Sequence, residues 1–425
     1  MRAIASLLFL LIAACASAPA PSPDLDGLAE RYVRLSLEIG AHEEGYIDAY
    51  YGPEAWKTEA EAHPRSVPQL KTDADGLRAE LTAAVQNATD ADARRRARTL
   101  EVYVSSARFR LDMIEGRRVP LADEAEALFN LRPALRPLSS YDAALARVEQ
   151  VVPGQGPLTE RVNAFLARYS IPQDRLTAVM QAAIAECRRR TQAHLDLPAN
   201  ERFDMELVTG QSWGAYNWYR GNNNSLIQIN AGLPVRIDSA IGYGCHEGYP
   251  GHHVQGISAE RLYRERGYVE YSVLPLYSPM GPLNEGAGDY GVKLAFPGNE
   301  REAFETRVLY PLAGLDPASA PALTAFDAAM DELDGARLTI AAMYLGGEID
   351  RARAVELTQR YQLMSRERAD RSVAFSEQYR SYVINYSTGE DLVAAYIERA
   401  GPGAEARWRA YESILNQPTL PEHLR

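Results

Sequence analysis

Apolar residues recur at spacings of three and four through most of residues 25–197, in stretches such as "LAERYVRLSLEIGAH", "ADGLRAELTAAVQNA", "DARRRARTLEVYVSSARFRLDMIEG" and "DRLTAVMQAAIAECRRRTQAHL". An α-helix turns once in about 3.6 residues, so this spacing draws the apolar side chains of each segment into one stripe that must be buried. The abundance of Ala, Leu, Glu and Arg adds helix propensity. "YGPEAW", "HPRSVP", "RPALRPLSS" and "VVPGQGP" interrupt the pattern, since proline and glycine end helices. Successive short helices, each with one face to hide, read as a bundle.

The pattern changes at Arg202. "RFDMELVTG", "YNWYRG" and "SLIQINAGL" are short alternating or β-branched runs bounded by Gly and Asn, and they predict two to four short strands. "SLIQINAGL" offers an edge along which an extended peptide could pair. Helical spacing then returns and continues through "NEGAGDYGVKLAF", "ALTAFDAAMDELDGARLTIAAMYLGG" and "DRARAVELTQRYQLMSRERADRSVAFSEQYRSYVIN". The expected fold is mainly α with a small antiparallel β-sheet beside the histidine-rich segment. Residues 25–198 form a helical region, and 199–425 a second region of sheet and C-terminal helices packed with the first as one unit. With 425 residues, 46% of them hydrophobic, the chain can bury a large core.

The first residues, "MRAIASLLFLLIAACASAPAPSPD", place Arg2 before an apolar run too short to span a bilayer as a mature helix. Ile12-Ala13-Ala14-Cys15 resembles a lipobox, so residues 1–14 read as a lipoprotein signal peptide, Cys15 as the lipidated first residue, and 15–24 as a Pro-rich flexible tether. Ala16 and Ser17 after the cysteine favour anchoring in the outer membrane, facing the periplasm. Only Cys187 and Cys245 remain, allowing at most one disulfide, and Cys245 reads as a small core residue. A net charge of −12 argues against nucleic acid as a partner, and the basic run "ARRRAR" reads as a solvated helix face.

Three of the seven histidines lie within eight residues of "GYGCHEGYPGHHVQG". A catalytic zinc needs about three N or O ligands with an open position, and a carboxylate to take a proton from bound water. His246-Glu247 begins an HExxH pattern, but Pro250 stands where the second histidine should be. In an unbroken helix, His252 would point roughly 120° away, and His253 would lie roughly 10 Å along the axis. Gly248, Pro250 and Gly251 permit a looped backbone that removes this difficulty. Looping out two residues makes His252 the ligand; looping out three makes it His253. Downstream, Glu285 in "NEGAGDYG" is the candidate third ligand, in a glycine-rich run suited to close packing on the metal helix. Asp289, one turn later, can accept a histidine N–H and so orient a ligand.

"HEGYPGHHVQ" resembles the HExxPGHHxQ signature of the bacterial domain-of-unknown-function 885 family, many of whose members carry lipoprotein signals, and "NEGAGDYG" is similar to its second signature. Ala287 stands where that family commonly has Trp. The resemblance implies a helical, zincin-like metallopeptidase fold with one zinc ion on His246, one or both of His252 and His253, and Glu285, and with Glu247 as general base. Tyr386 in "NYSTG" is the first candidate to stabilise an oxyanion, Arg380 a candidate for binding a substrate carboxylate, and Tyr50 and Tyr51 candidates to line the cleft. The resulting expectation is a lipid-anchored zinc metallopeptidase acting on a peptide or small amide. A cell-envelope amidase or esterase, or a non-catalytic metal- or ligand-binding lipoprotein, are the alternatives.

Overall fold

The computed structural model describes residues 24–211 and 213–425. The expected signal peptide, the expected anchor at Cys15 and most of the expected tether lie outside the described residues. Among the described residues no helix is long and apolar enough to cross a membrane.

Helical spacing becomes burial directly. In the helix Leu25–His42, the residues Leu28, Tyr32, Leu35 and Ile39 all face inward. In Val67–Asn87 the same stripe is Leu70, Ala74, Leu77, Leu81 and Ala84. Helix starts are fixed by side chains that accept otherwise unpaired amides: Asp24 from Gly27 at 3.0 Å and Asp90 from Ala93 at 2.8 Å.

The hydrophobic interior has two parts. One is built by the first helices, from Leu28 to Leu131, with Tyr277, Leu338, Ile384 and Leu420 returning to it from later in the chain. The other runs from Tyr141 to Leu424. Up to Leu131 the buried apolar residues of this interior belong to the first part, and from Tyr141 on most belong to the second.

Five strands occur among the described residues: β1 (Ile47–Tyr50), β2 (Arg202–Val208), β3 (Ala215–Tyr219), β4 (Asn224–Asn230) and β5 (Val273–Pro275). β2, β4 and β3 form one sheet in that order, with β2 parallel and β3 antiparallel to β4. The sheet is thus mixed, where an antiparallel one was expected. β4, drawn from "SLIQINAGL", is central and not an edge. Its Leu226, Ile227 and Ile229 are buried, so the most apolar strand takes the middle position. The free edge beside the histidines belongs to β3. β1 pairs antiparallel with β5, a strand the sequence pattern did not reveal.

Cys187 and Cys245 form a disulfide, with Cα atoms 5.3 Å apart. It ties the helix Gln173–Gln192 to the residue just before His246. A cross-link over a sequence separation of 58 stabilises by about 4 kcal/mol in the chain-entropy picture. The double variant Cys187→Ala/Cys245→Ala is therefore expected to unfold at a clearly lower urea concentration than the oxidised protein; equal midpoints would show that the bond contributes nothing.

Candidate metal centre

The helix Ile237–Tyr243 runs into a single π-helical turn, Gly244–Gly248, which carries His246 and Glu247. π-turns are uncommon and concentrate at functional sites. The helix then breaks at Tyr249, Pro250 and Gly251, and a new one, His252–Arg266, begins. His252 is thus the first residue of a second helix, and the looped backbone expected around Gly248, Pro250 and Gly251 takes the form of a break between two helices. Gly251 is required by this path: a Cβ there would fall 1.8 Å from the carbonyl oxygen of His246. Tyr411 fastens the break by donating its hydroxyl to the Pro250 carbonyl at 2.8 Å and the Ala287 carbonyl at 3.2 Å.

This path brings His246 and His252 together, with ring centroids 4.6 Å apart and planes nearly perpendicular. The helix Met280–Ala295 supplies the third member. One ligand atom each from His246, His252 and Glu285 lies within 4.8 Å of the others. Gly288 allows the approach, because a Cβ there would stand 2.9 Å from the imidazole atoms Cε1 and Nδ1 of His246.

The remaining ring nitrogens are occupied in the way a metal would require. His246 Nδ1 lies 2.8 Å from Asp289 Oδ1, and His252 Nδ1 lies 2.9 Å from Gln255 Oε1. Gln255 is held in turn by donating to the Asn284 carbonyl at 2.9 Å. An N–H donated from each Nδ1 leaves each Nε2 lone pair facing Glu285, at 3.5 Å from His246 and 3.8 Å from His252. Two neutral imidazoles and a carboxylate around one point suit a divalent cation.

His253 is elsewhere. Its fully buried ring bonds Ser225 Oγ at 2.9 Å and Glu201 Oε2 at 3.0 Å, on the far side of its helix. Glu201 also accepts from the Tyr249 hydroxyl at 2.6 Å and pairs with Arg188. The cluster of three therefore excludes His253.

The electrostatics are those of a site built for positive charge. Burial disfavours protonation of His246, but Asp289 and Glu285 outweigh it and hold the imidazole pKa well above its ordinary 6.5. Burial also pushes Glu285 upward, yet His246 and His252 overcome this and hold it below the usual carboxylate range. Glu247 is raised, first by burial and then by the Glu285 and Asp289 charges, against the opposing pull of both histidines. The sign for His246 follows: its pairing stabilises the metal-free fold fully below pH 6.5, and that contribution is lost as pH rises through the elevated pKa. A cation at Nε2 must displace that proton, so metal affinity falls as pH falls.

The cluster opens into a cavity of about 1760 Å³. Glu247 lines it, and the Glu247 carbonyl accepts from Asn217 Nδ2 at 2.5 Å, which ties β3 to the metal turn. Tyr50, Tyr51 and Tyr386 also line the cavity. Tyr386 is 38% exposed there; enclosure by the cavity walls, with Glu285 nearby, raises its hydroxyl pKa, so it stays protonated and able to donate.

One solved structure shows a related fold. A "putative lipoprotein" from Colwellia psychrerythraea superposes with a TM-score of 0.52 at 12% identity, covering 84% of this chain and 68% of its own. At a TM-score of 0.46 stand a "putative lipoprotein of unknown function" from Shewanella oneidensis (11% identity, 96% of this chain, 81% of that one) and the M32 carboxypeptidase from Deinococcus radiodurans R1 (15% identity, 92% and 88%). No family model matches the sequence, and neither does any curated protein.

Arg380, expected to bind a substrate carboxylate, is not at the cavity. Its Nε donates to Glu124 at 2.7 Å, and Ser381 completes that carboxylate's shell through its amide and hydroxyl. Glu124 is wholly buried and needs a cation, so the guanidinium is already committed. Gln255, the last residue of the quoted signature, was given no role in the sequence reading, although it stands three residues after His252, a spacing that places two side chains on one helix face. Asn217 carried no signal, since its role depends on where β3 lies.

Proposed function

We propose that this chain is a zinc-dependent hydrolase of peptides, anchored to the bacterial cell envelope through Cys15, and that it is a distant member of the domain-of-unknown-function 885 family. The observation that carries the reading is the trio His246, His252 and Glu285, with both Nδ1 atoms already engaged and Glu247 in the wall of a large cavity. When bound, zinc would supply Lewis acidity and lower the pKa of a coordinated water toward neutrality. Glu247, whose carboxyl pKa burial raises, would serve as the base that takes a proton from the attacking water and returns it to the leaving nitrogen. The protonated Tyr386 hydroxyl donates to the oxygen that gains charge as the carbonyl is attacked. The open edge of β3, whose Tyr216 and Trp218 line the cavity, pairs with the backbone of an extended substrate.

Metal analysis tests this reading. Protein lacking residues 1–15 is expected to hold about one zinc per chain by mass spectrometry, and His246→Ala or Glu285→Ala to hold none. Affinity should weaken roughly tenfold per pH unit where His246 is protonated. If wild-type protein stays metal-free after zinc is added, hydrolysis through this site is ruled out and the cluster becomes a structural turn in a binding protein.

A further inference from the structure

Four arginines reach the cavity wall: Arg236, Arg337, Arg368 and Arg371. Arg236 pairs with Asp238 at 2.6 Å, Arg371 pairs with Glu367 at 2.6 Å, and Arg368 is exposed. Arg337, on the helix Asp334–Leu345, differs from all three. It is half-buried, and its Nε is shut off from water with no hydrogen-bond partner among the described residues. Its guanidinium lies 5.2 Å from the centre of the Phe375 ring and 5.8 Å from that of Tyr386. Asp334, one turn earlier on the same helix, acts on it only through space. Burial holds its pKa below the ordinary guanidinium range, against the weaker opposing pull of Tyr386 and Asp334. A guanidinium stays protonated even so, and a planar fork of donors matches a carboxylate better than it matches any other small anion of a peptide.

Tyr386 lies between this cation and the metal centre in charge: its hydroxyl feels both Glu285 and Arg337, and all three residues line one cavity. A ligand carboxylate at Arg337 would therefore occupy the same cavity as a carbonyl presented to His246, His252 and Glu285. Resting on the hydrolase reading above, we infer that Arg337 receives the free α-carboxylate of a peptide and that the chain is a carboxypeptidase, removing the last residue. In that step one water is consumed. Its oxygen bonds to the carbonyl carbon of the final peptide bond, the C–N bond breaks, and the departing nitrogen takes the proton that Glu247 removed. The products are a shortened peptide with a new carboxylate and a free amino acid, and nothing is oxidised or reduced.

The test uses zinc-loaded protein and two pools of N-acetylated tripeptides of mixed sequence, one with free carboxyl termini and one amidated, with products read by mass spectrometry. The free-acid pool is expected to lose its last residue, and the amidated pool to react roughly 100-fold or more slowly. Arg337→Gln is expected to reduce that discrimination to a few-fold, mainly by raising KM for the acid, and Arg337→Lys to recover part of it. Equal cleavage of both pools by the wild type, or cleavage at internal bonds in both, would overturn the role of Arg337 and leave the hydrolase intact. An Arg337→Gln variant that melts like the wild type and keeps the full acid preference would do the same. Cleavage of neither pool by protein that holds its zinc would overturn both readings.

Discussion

Glu247→Gln is expected to retain one zinc per chain and to lose hydrolysis by roughly 10²–10⁴-fold, the range that general-base catalysis supplies. The substitution is nearly isosteric, and Glu247 stands outside the trio of ligand atoms, so metal content should not change. What disappears is the proton acceptor. The wild-type activity should also fall at low pH as Glu247 becomes protonated. The glutamine variant should lack that limb. A glutamine variant of full activity on a substrate that the wild type cleaves would remove Glu247 from the mechanism, and another base would have to be found.

His252→Ala and His253→Ala should separate metal binding from folding. His252 faces the cavity with its side chain 22% exposed and bonds only Gln255, so its loss should abolish zinc binding and change the stability of the metal-free protein by no more than about 1 kcal/mol. His253 is fully buried between Ser225 and Glu201. Truncating it leaves a buried carboxylate short of a partner and a hole beside Phe203 and Tyr249, a loss of roughly 3 kcal/mol. Its variant should melt earlier yet still take up zinc at low temperature. Thermal melts paired with metal analysis decide the matter. The reverse outcome, with zinc lost only in His253→Ala, would move the ligand set to the other face of the helix.

The two adjacent histidines also show where the sequence stopped being readable. Helices were legible because a spacing of three and four needs no partner to be recognised, and the glycines around Glu285 marked close packing for the same local reason. Choosing between His252 and His253 needed the backbone path through Tyr249, Pro250 and Gly251, and the positions of Ser225 and Glu201, which belong to other elements. Arg380 failed similarly. Its partner Glu124 is 256 residues away, and nothing near Arg380 announces it. β1 is four residues long and gains its order from β5, so no pattern within it could signal a strand. The disulfide belongs to this class, since spacing gives no distance between sulfurs.

The pairing of β1 with β5 bears on how the molecule is made. Near it the Tyr51 hydroxyl meets the Tyr271 carbonyl across 220 residues, and Arg98 grips Glu422 across 324. Contacts this distant close large loops, which slows folding and defers it until both partners have been synthesised. The cavity wall takes Tyr51 from one end of the chain and Thr419 from the other. A fragment that stops short of Thr419 therefore lacks part of the cavity wall, and the cleft is whole only when segments far apart in the chain have met.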